Sequence, residues 1–383
     1  MKKTIQIVCV VVGLGSVTNV WAEDPYQVEW KAQIGTSGRD YCYSVAVDAH
    51  GNAYISGRTT GNLGGPNAGD SDVFLSKFNS DGNEIWTTQI GTSAYDQSSS
   101  VAIDASSNAY ITGFTFGDLD GPNAGERDAF LSKFDSGGNE IWTTQIGTSL
   151  LDHGYSVAVD APGNAYITGV TRGNLGGFDP GSADAFLGKF DSNGSEIWMT
   201  QIGSGAYDHS YSVAIDASGN AYISGTTQYN LGGPSAGKYD AFLSKFDSSG
   251  NEVWTKQIGT SEWDHSLSVA LDVSGNAYIS GLTKGDLGGP NSGELDAFLG
   301  KFDSSGNEVW TTQIGTGGDD INSGVAVDAY GNLYISGYVS GDLGGSNAGG
   351  RDAFLVKYEV PEPATLSLLA LGGLGILRRR RRR

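Results

Sequence analysis

Short runs in which apolar and polar residues alternate fill this chain, and they come in pairs. Between Ser100 and Thr148 the runs Ser100–Asp104 and Ala109–Thr115 flank an Ala-Ser-Ser-Asn turn, the signature of a β-hairpin. A polar loop rich in Gly and Asp follows. Asp128–Phe134 and Glu140–Ile146 then make a second hairpin through Asp-Ser-Gly-Gly-Asn. No helical period separates the runs, so the unit reads as four antiparallel strands. On its third strand Phe130, Ser132 and Phe134 share one face, while Leu131 and Lys133 share the other. A small sheet with apolar residues on both faces cannot satisfy itself and needs neighbours.

The neighbours are copies of the unit. Trp30, Trp86, Trp142, Trp198, Trp254 and Trp310 are spaced by 56 residues each time. A first-strand Asp recurs at Asp48, Asp104, Asp160, Asp216, Asp272 and Asp328, and a third-strand Asp at Asp72, Asp128, Asp184, Asp240, Asp296 and Asp352. The chain begins with a lone Trp strand and ends, after Tyr358, without one. The expected fold is therefore all-β: a six-bladed β-propeller of four-stranded antiparallel blades. It is predicted to close by pairing Val28–Ile34 with Asp352–Tyr358, which leaves no open sheet edge at the seam. The repeated Trp is expected to pack between blades.

The run SVAIDASGNAYISG, followed in the same unit by DAFLSKFDSSGNEVWTKQIG, resembles the bacterial β-propeller (SBBP) repeat and, more distantly, NHL repeats. The resemblance covers nearly all of residues 25–358. It departs from the seven-bladed label of that family, because only six units can be counted.

The two ends read as addresses rather than fold. Lys2 and Lys3, an apolar run from Ile5 to Leu14 and the small-residue pattern Val20-Trp21-Ala22 predict a signal peptide over 1–22, too short for a ~20-residue span. Residues 23–358 form the propeller. Residues 359–383 resemble a PEP-CTERM sorting signal: Pro361-Glu362-Pro363, an apolar stretch from Ala364 to Leu377, then Arg378–Arg383. That resemblance implies an exosortase-type processing enzyme as a partner and transient contact with the inner membrane, arginines on the cytoplasmic side. The protein is thus expected outside the inner membrane, at the cell surface or in the extracellular space.

Cys9 leaves with the signal peptide, so Cys42 has no partner for an intrachain disulfide. The net charge is −20, and eight of the 23 basic residues sit in the terminal segments, so the body is more acidic still. Such a surface repels nucleic acid and anionic membranes.

On the end of the ring carrying the tight turns, the copies are nearly uniform. On the opposite end they differ: Arg39 becomes Tyr95, Leu151, Tyr207, Trp263 and Asp319, and Thr60 becomes Phe116, Arg172, Gln228, Lys284 and Ser340. Variation on a rigid repeat is where a binding surface is built, although neutral drift in loops makes the same pattern. Arg39, Tyr95, Phe116, Arg127, Arg172, Tyr207 and Trp263 are the candidate contacts, with an extracellular polysaccharide or a surface protein as ligand. The same end carries Asp40, Asp96, Asp152, Asp208, Asp264 and Asp320, three followed by His153, His209 and His265. Asp152, His153, Asp208, His209, Asp264 and His265 are candidate ligands for calcium or another divalent metal. The competing reading has each Asp accepting N–H groups of its own loop. No cofactor is otherwise indicated. Unlike groups gathered at one place, as catalysis requires, are not visible. A binding or scaffold role is the first expectation, and a channel-mouth hydrolase or lyase using Asp, His and a metal is the alternative.

Overall fold

The computed structural model describes residues 29–176 and 182–358. The first blade consists of β1 (Asp40–Val47), β2 (Ala53–Thr59), β3 (Asp72–Phe78) and β4 (Glu84–Ile90), paired in that order and antiparallel throughout. Blade two repeats it as β5 (Asp96–Ile103), β6 (Ala109–Thr115), β7 (Asp128–Phe134) and β8 (Glu140–Ile146). Blade three has β9 (Asp152–Val159), β10 (Ala165–Thr171), β11 (Asp184–Phe190) and β12 (Glu196–Ile202). Blade four has β13 (Asp208–Ile215), β14 (Ala221–Thr227), β15 (Asp240–Phe246) and β16 (Glu252–Ile258). Blade five has β17 (Asp264–Leu271), β18 (Ala277–Thr283), β19 (Asp296–Phe302) and β20 (Glu308–Ile314). The sixth has three strands, β21 (Ile321–Val327), β22 (Leu333–Val339) and β23 (Asp352–Tyr358). The protein is a six-bladed all-β propeller.

Three strands of the second blade run where alternation places them, but β5 starts at Asp96 rather than Ser100. Its first residues, Asp96-Gln97-Ser98-Ser99, carry no apolar alternation, and a bulge between Ser98 and Ser100 separates them from the patterned half. The tight turns follow from Asp and Asn. Asp104 Oδ1 accepts the Ser106 and Asn108 backbone N–H groups, and Asn108 Nδ2 donates to Asp104 Oδ2 at 2.8 Å. The turn needs a positive φ that Gly supplies in the other copies, as at Gly219, and Ser107 adopts it at 63°.

Each core lies between blades. Leu75 and Val73 of the first blade pack with Val101, Ile111, Phe130 and Phe134 of the second, and equivalent clusters join blades two to six. Trp86, Trp142, Trp198 and Trp254 each bridge the same interface. Trp86 meets the Tyr54 ring edge-on at 6.0 Å and donates its Nε1–H to Ser136 O at 3.1 Å in the next blade. The Gln of the Trp-Thr-Thr-Gln-Ile-Gly segment ties the loop between second and third strands: Gln89 Oε1 accepts Leu63 N–H, and its Nε2 donates to Gly61 O and Asp72 Oδ2. First strands of successive blades approach one another, so they line the axis.

The expected closure is not confirmed by the structure. Val28 lies outside the described residues, residues 29–39 form no strand, and β23 is an unpaired sheet edge among the described residues. Trp30 does reach blade one as Trp86, Trp142 and Trp198 reach their next blades, donating to Ser80 O at 3.0 Å and covering Gly82. Gln33, which would take Gln89's place against Asp352, is exposed instead. Among the described residues, the N-terminal segment is therefore anchored to the first blade. The signal peptide and the sorting motif, with Pro361, Glu362 and Pro363, also lie outside the described residues.

Candidate functional site

Two loops and an inner strand from every blade meet at the variable end. The loop before the first strand and the residue after the second are held together by backbone bonds, as between Phe116 N–H and Tyr95 O at 3.1 Å. The residue before the third strand bridges to the next blade, as Arg127 does to Leu151 and Tyr239 to Trp263.

The invariant Asp series builds these loops. Asp152 Oδ2 accepts Thr148 N–H at 2.6 Å and Thr148 Oγ1–H at 2.9 Å. Asp40, Asp96, Asp208 and Asp264 repeat the bond to the residue four positions earlier, and Asp320 accepts Thr316 N–H. Burial raises the carboxyls of Asp96, Asp152, Asp208 and Asp264 above the usual range despite these bonds. Adjacent strand residues face opposite ways, so each Asp is turned into its loop while the following His faces the axis. No group of three His, Cys, Asp or Glu that could hold a metal occurs among the described residues. The candidate metal set thus does not assemble: Tyr155 lies between His153 and His209, with ring centroids 4.0 and 6.4 Å away, and Tyr239 lies against His265 at 5.5 Å.

The variable residues do assemble. Phe114 stacks on Tyr95 at 5.7 Å, meets Phe116 edge-on at 5.8 Å and His153 at 4.6 Å, and carries the Arg127 guanidinium 4.6 Å above its ring. Arg58 lies over both Tyr41 (4.3 Å) and Tyr95 (5.2 Å). Farther round, Tyr207, His209, Tyr211, Thr226, Tyr239 and His265 line a cavity of about 190 Å³. Tyr211 approaches Tyr155 at 5.3 Å, which joins the cavity to the first cluster. Tyr207 on the cavity wall and Trp263, bridged to Tyr239, are about half exposed, and Arg172 and Arg39 are exposed.

Electrostatics keep the imidazoles neutral. Burial, then Arg127 and His209, push His153 down to about 3, and burial, then Arg172, His265 and Arg127, push His209 down to about 4. Burial also lowers His265. Ser99 Oγ lies 2.9 Å from His153 Nε2, the nearest approach to a nucleophile and base among the described residues. Nothing orients the other ring nitrogen in the way a carboxylate orients a catalytic histidine, and an imidazole held near 3 is a weak base.

Sequence reasoning missed Tyr41, Tyr43, Arg58, Phe114, Tyr155, Tyr211 and Tyr239. A signal was available. At the first and third positions after the invariant Asp the copies read Tyr-Tyr, Gln-Ser, His-Tyr, His-Tyr, His-Leu and Ile-Ser, while the intervening positions hold small residues in nearly every copy. Variation at period two inside a constant strand marks one face of it.

Five stretches, residues 29–65, 85–120, 141–176, 197–232 and 309–344, match the SBBP beta-propeller repeat, and residues 359–382 match the PEP-CTERM protein-sorting motif. An uncharacterized WD repeat-containing protein of Acanthamoeba polyphaga mimivirus is 25% identical over 80% of this chain and 30% of its own length. Regulatory protein FlaEY of Caulobacter vibrioides is 26% identical over 82% of this chain and 37% of its own. The chain spans about a third of the length of these curated relatives. Similar solved structures include a protein of unknown function from Bacteroides caccae, with 14% identity, TM-score 0.42 and coverage of 76% of this chain and 89% of that one. A gluconolactonase from Xanthomonas campestris has 13% identity and TM-score 0.38, with 79% of this chain and 94% of that one covered.

Proposed function

The chain is an SBBP β-propeller repeat protein with a C-terminal PEP-CTERM sorting motif, and from that premise we propose that it is an exported, non-enzymatic binding or scaffold protein of the cell envelope or extracellular matrix. The sorting motif implies export and processing by an exosortase-type enzyme. Binding is carried by one observation: on a scaffold whose cores and turns repeat six times, the aromatic, His and Arg residues at the axial mouth differ from blade to blade and still gather into one continuous surface. Loops held this rigidly supply contact area at low entropic cost. The ligand is an extracellular polymer, met by Tyr207 on the cavity wall and by Trp263, which is bridged to Tyr239.

Replacing Tyr207 and Trp263 together with Ala is expected to lower retention on extracted extracellular polymer at least tenfold while leaving the melting temperature within a few degrees. Unchanged retention would remove this reading. Turnover of a polymer or lactone substrate by purified protein, abolished by a chelator, would replace it with the catalytic alternative.

A further inference from the structure

Between residues 29 and 358 the chain has five arginines, Arg39, Arg58, Arg127, Arg172 and Arg351, and all five lie at the variable end. The tight-turn end has none. The segregation is of guanidinium groups rather than of positive charge, since Lys77, Lys133, Lys189 and Lys245 donate to the tight-turn carbonyls of the next blade. Carboxylates at the same end pair with other cations: Glu262 with Lys238 at 2.8 Å, Glu294 with Lys284 at 3.1 Å, and Asp319 with Arg351 at 3.6 Å. Arg58, Arg127 and Arg172 have no carboxylate partner within ion-pair distance among the described residues. The Arg127 Nε–H is buried and lacks any acceptor. Leaving a charged donor unmet is costly unless a ligand supplies the acceptor. Arg127 and Arg172 flank Leu151, the first bridged to it and the second donating its backbone N–H to Leu151 O at 2.8 Å, and Arg127 reaches the cavity through packed rings: Phe114, His153, Tyr155 and then Tyr211 on the cavity wall.

The cavity volume, about 190 Å³, is below the ~300 Å³ at which pockets begin to take drug-sized molecules, so it suits one ring. Five of its six lining residues are aromatic rings and all six carry a hydroxyl or ring nitrogen, a combination that suits the C–H face and the hydroxyls of a sugar. Guanidinium groups present paired donors that match a carboxylate in plane. Resting on the polymer-binding reading above, we propose that the mouth binds a uronate-bearing polysaccharide, one sugar ring entering the cavity beside Tyr207, Tyr211 and Tyr239 and carboxylates facing Arg172 and Arg127.

The test is affinity electrophoresis of the purified, processed protein through gels containing polygalacturonate, dextran or polyglutamate, with polymer extracted from the producing cells as reference. Retardation by polygalacturonate, weakened by added salt and absent with dextran, is expected. Arg172→Ala and Arg127→Ala should each weaken it about tenfold, with Arg127→Lys recovering only part of the loss, and Tyr211→Ala should weaken it further. Circular dichroism of each variant separates binding loss from unfolding, and Arg172→Ala, at an exposed position, serves if Arg127→Ala fails to fold. Equal retardation by dextran, or none by polygalacturonate alongside retention on the extracted polymer, would overturn the uronate assignment and leave polymer binding standing. Equal retardation by polyglutamate would show that charge alone is read and remove the sugar. Failure to bind any of the four would overturn both readings.

Discussion

Leu131 and Leu355 hold the same place on the third strands of blades two and six, yet one is 0% exposed and the other 73%. Val101 and Val45 make the same contrast on the first strands, at 6% and 64%. Each pair has the same side chain and the same strand register. What differs is the next blade. Leu131 is covered by blade three, and Val101 covers blade one, whereas Leu355 and Val45 are the two halves of a sixth interface that stand apart. Five interfaces of this kind are built and the sixth is presented unbuilt, so burial in a repeat protein belongs to the neighbour as much as to the residue.

The largest expected effect sets these leucines against each other. Leu187→Ala, in a fully buried position equivalent to Leu131, should cost about 2–5 kcal/mol in urea unfolding. Leu355→Ala should cost less than about 0.5 kcal/mol. A comparable loss at both sites would show that the seam closes in solution and would break the contrast.

Acid should act on the interior next. His153, packed among Phe114, Tyr155, Ser99 and Arg127, takes a proton only near 3 when folded but near 6.5 when unfolded. Its folded value is depressed, so the stability it contributes is present above pH 6.5 and lost as the pH falls from there toward 3. The raised carboxyls of Asp96, Asp152, Asp208 and Asp264 have the opposite sign, because the folded chain then holds more protons, and they offset part of the loss. Replacement of His153 by Gln isolates the imidazole: between pH 7 and pH 5 the parent chain should lose roughly 1–2 kcal/mol more than the variant. Identical slopes would mean that His153 is hydrated in solution.

The smallest effect is also the most direct probe of the seam. Cys42 occupies the position that Ser98, Ser210 and Ser266 hold fully buried between blades, but it is exposed beside the gap. Cys42→Ser should change stability by less than about 0.5 kcal/mol. In the processed chain a thiol reagent should modify Cys42 within about tenfold of its rate in the denatured protein. Much stronger protection would place blade six, or another body, over it.

Much of the fold was legible because each blade obeys rules that act within a few residues. Period-two alternation from Ala109 to Thr115 and Asp128 to Phe134, and the Asp-to-Asn turn at Asp104 and Asn108, place strands without reference to the rest of the chain. The sixfold recurrence then places blade beside blade, and it marked Tyr95, Phe116, Arg127, Tyr207 and Trp263 as the residues that escape the pattern. The polar start of β5 carries no apolar period to read, and the inward tyrosines showed only as variation at period two inside a constant strand, which does not say which face looks to the axis.

The sequence by itself determined the strands, the turns, the number of blades and the end of the ring where copies diverge, since all of these depend on local chemistry repeated at a constant interval. Only the tertiary structure decided that Asp152 and His153, adjacent in sequence, serve opposite sides of their strand. It alone showed that Phe114 of β6 and Arg127, just before β7, form one contact, and that Trp30 binds blade one while β23 is left unpaired among the described residues. Those outcomes depend on angles between blades and on side-chain direction, which accumulate around an axis and are written in no single repeat.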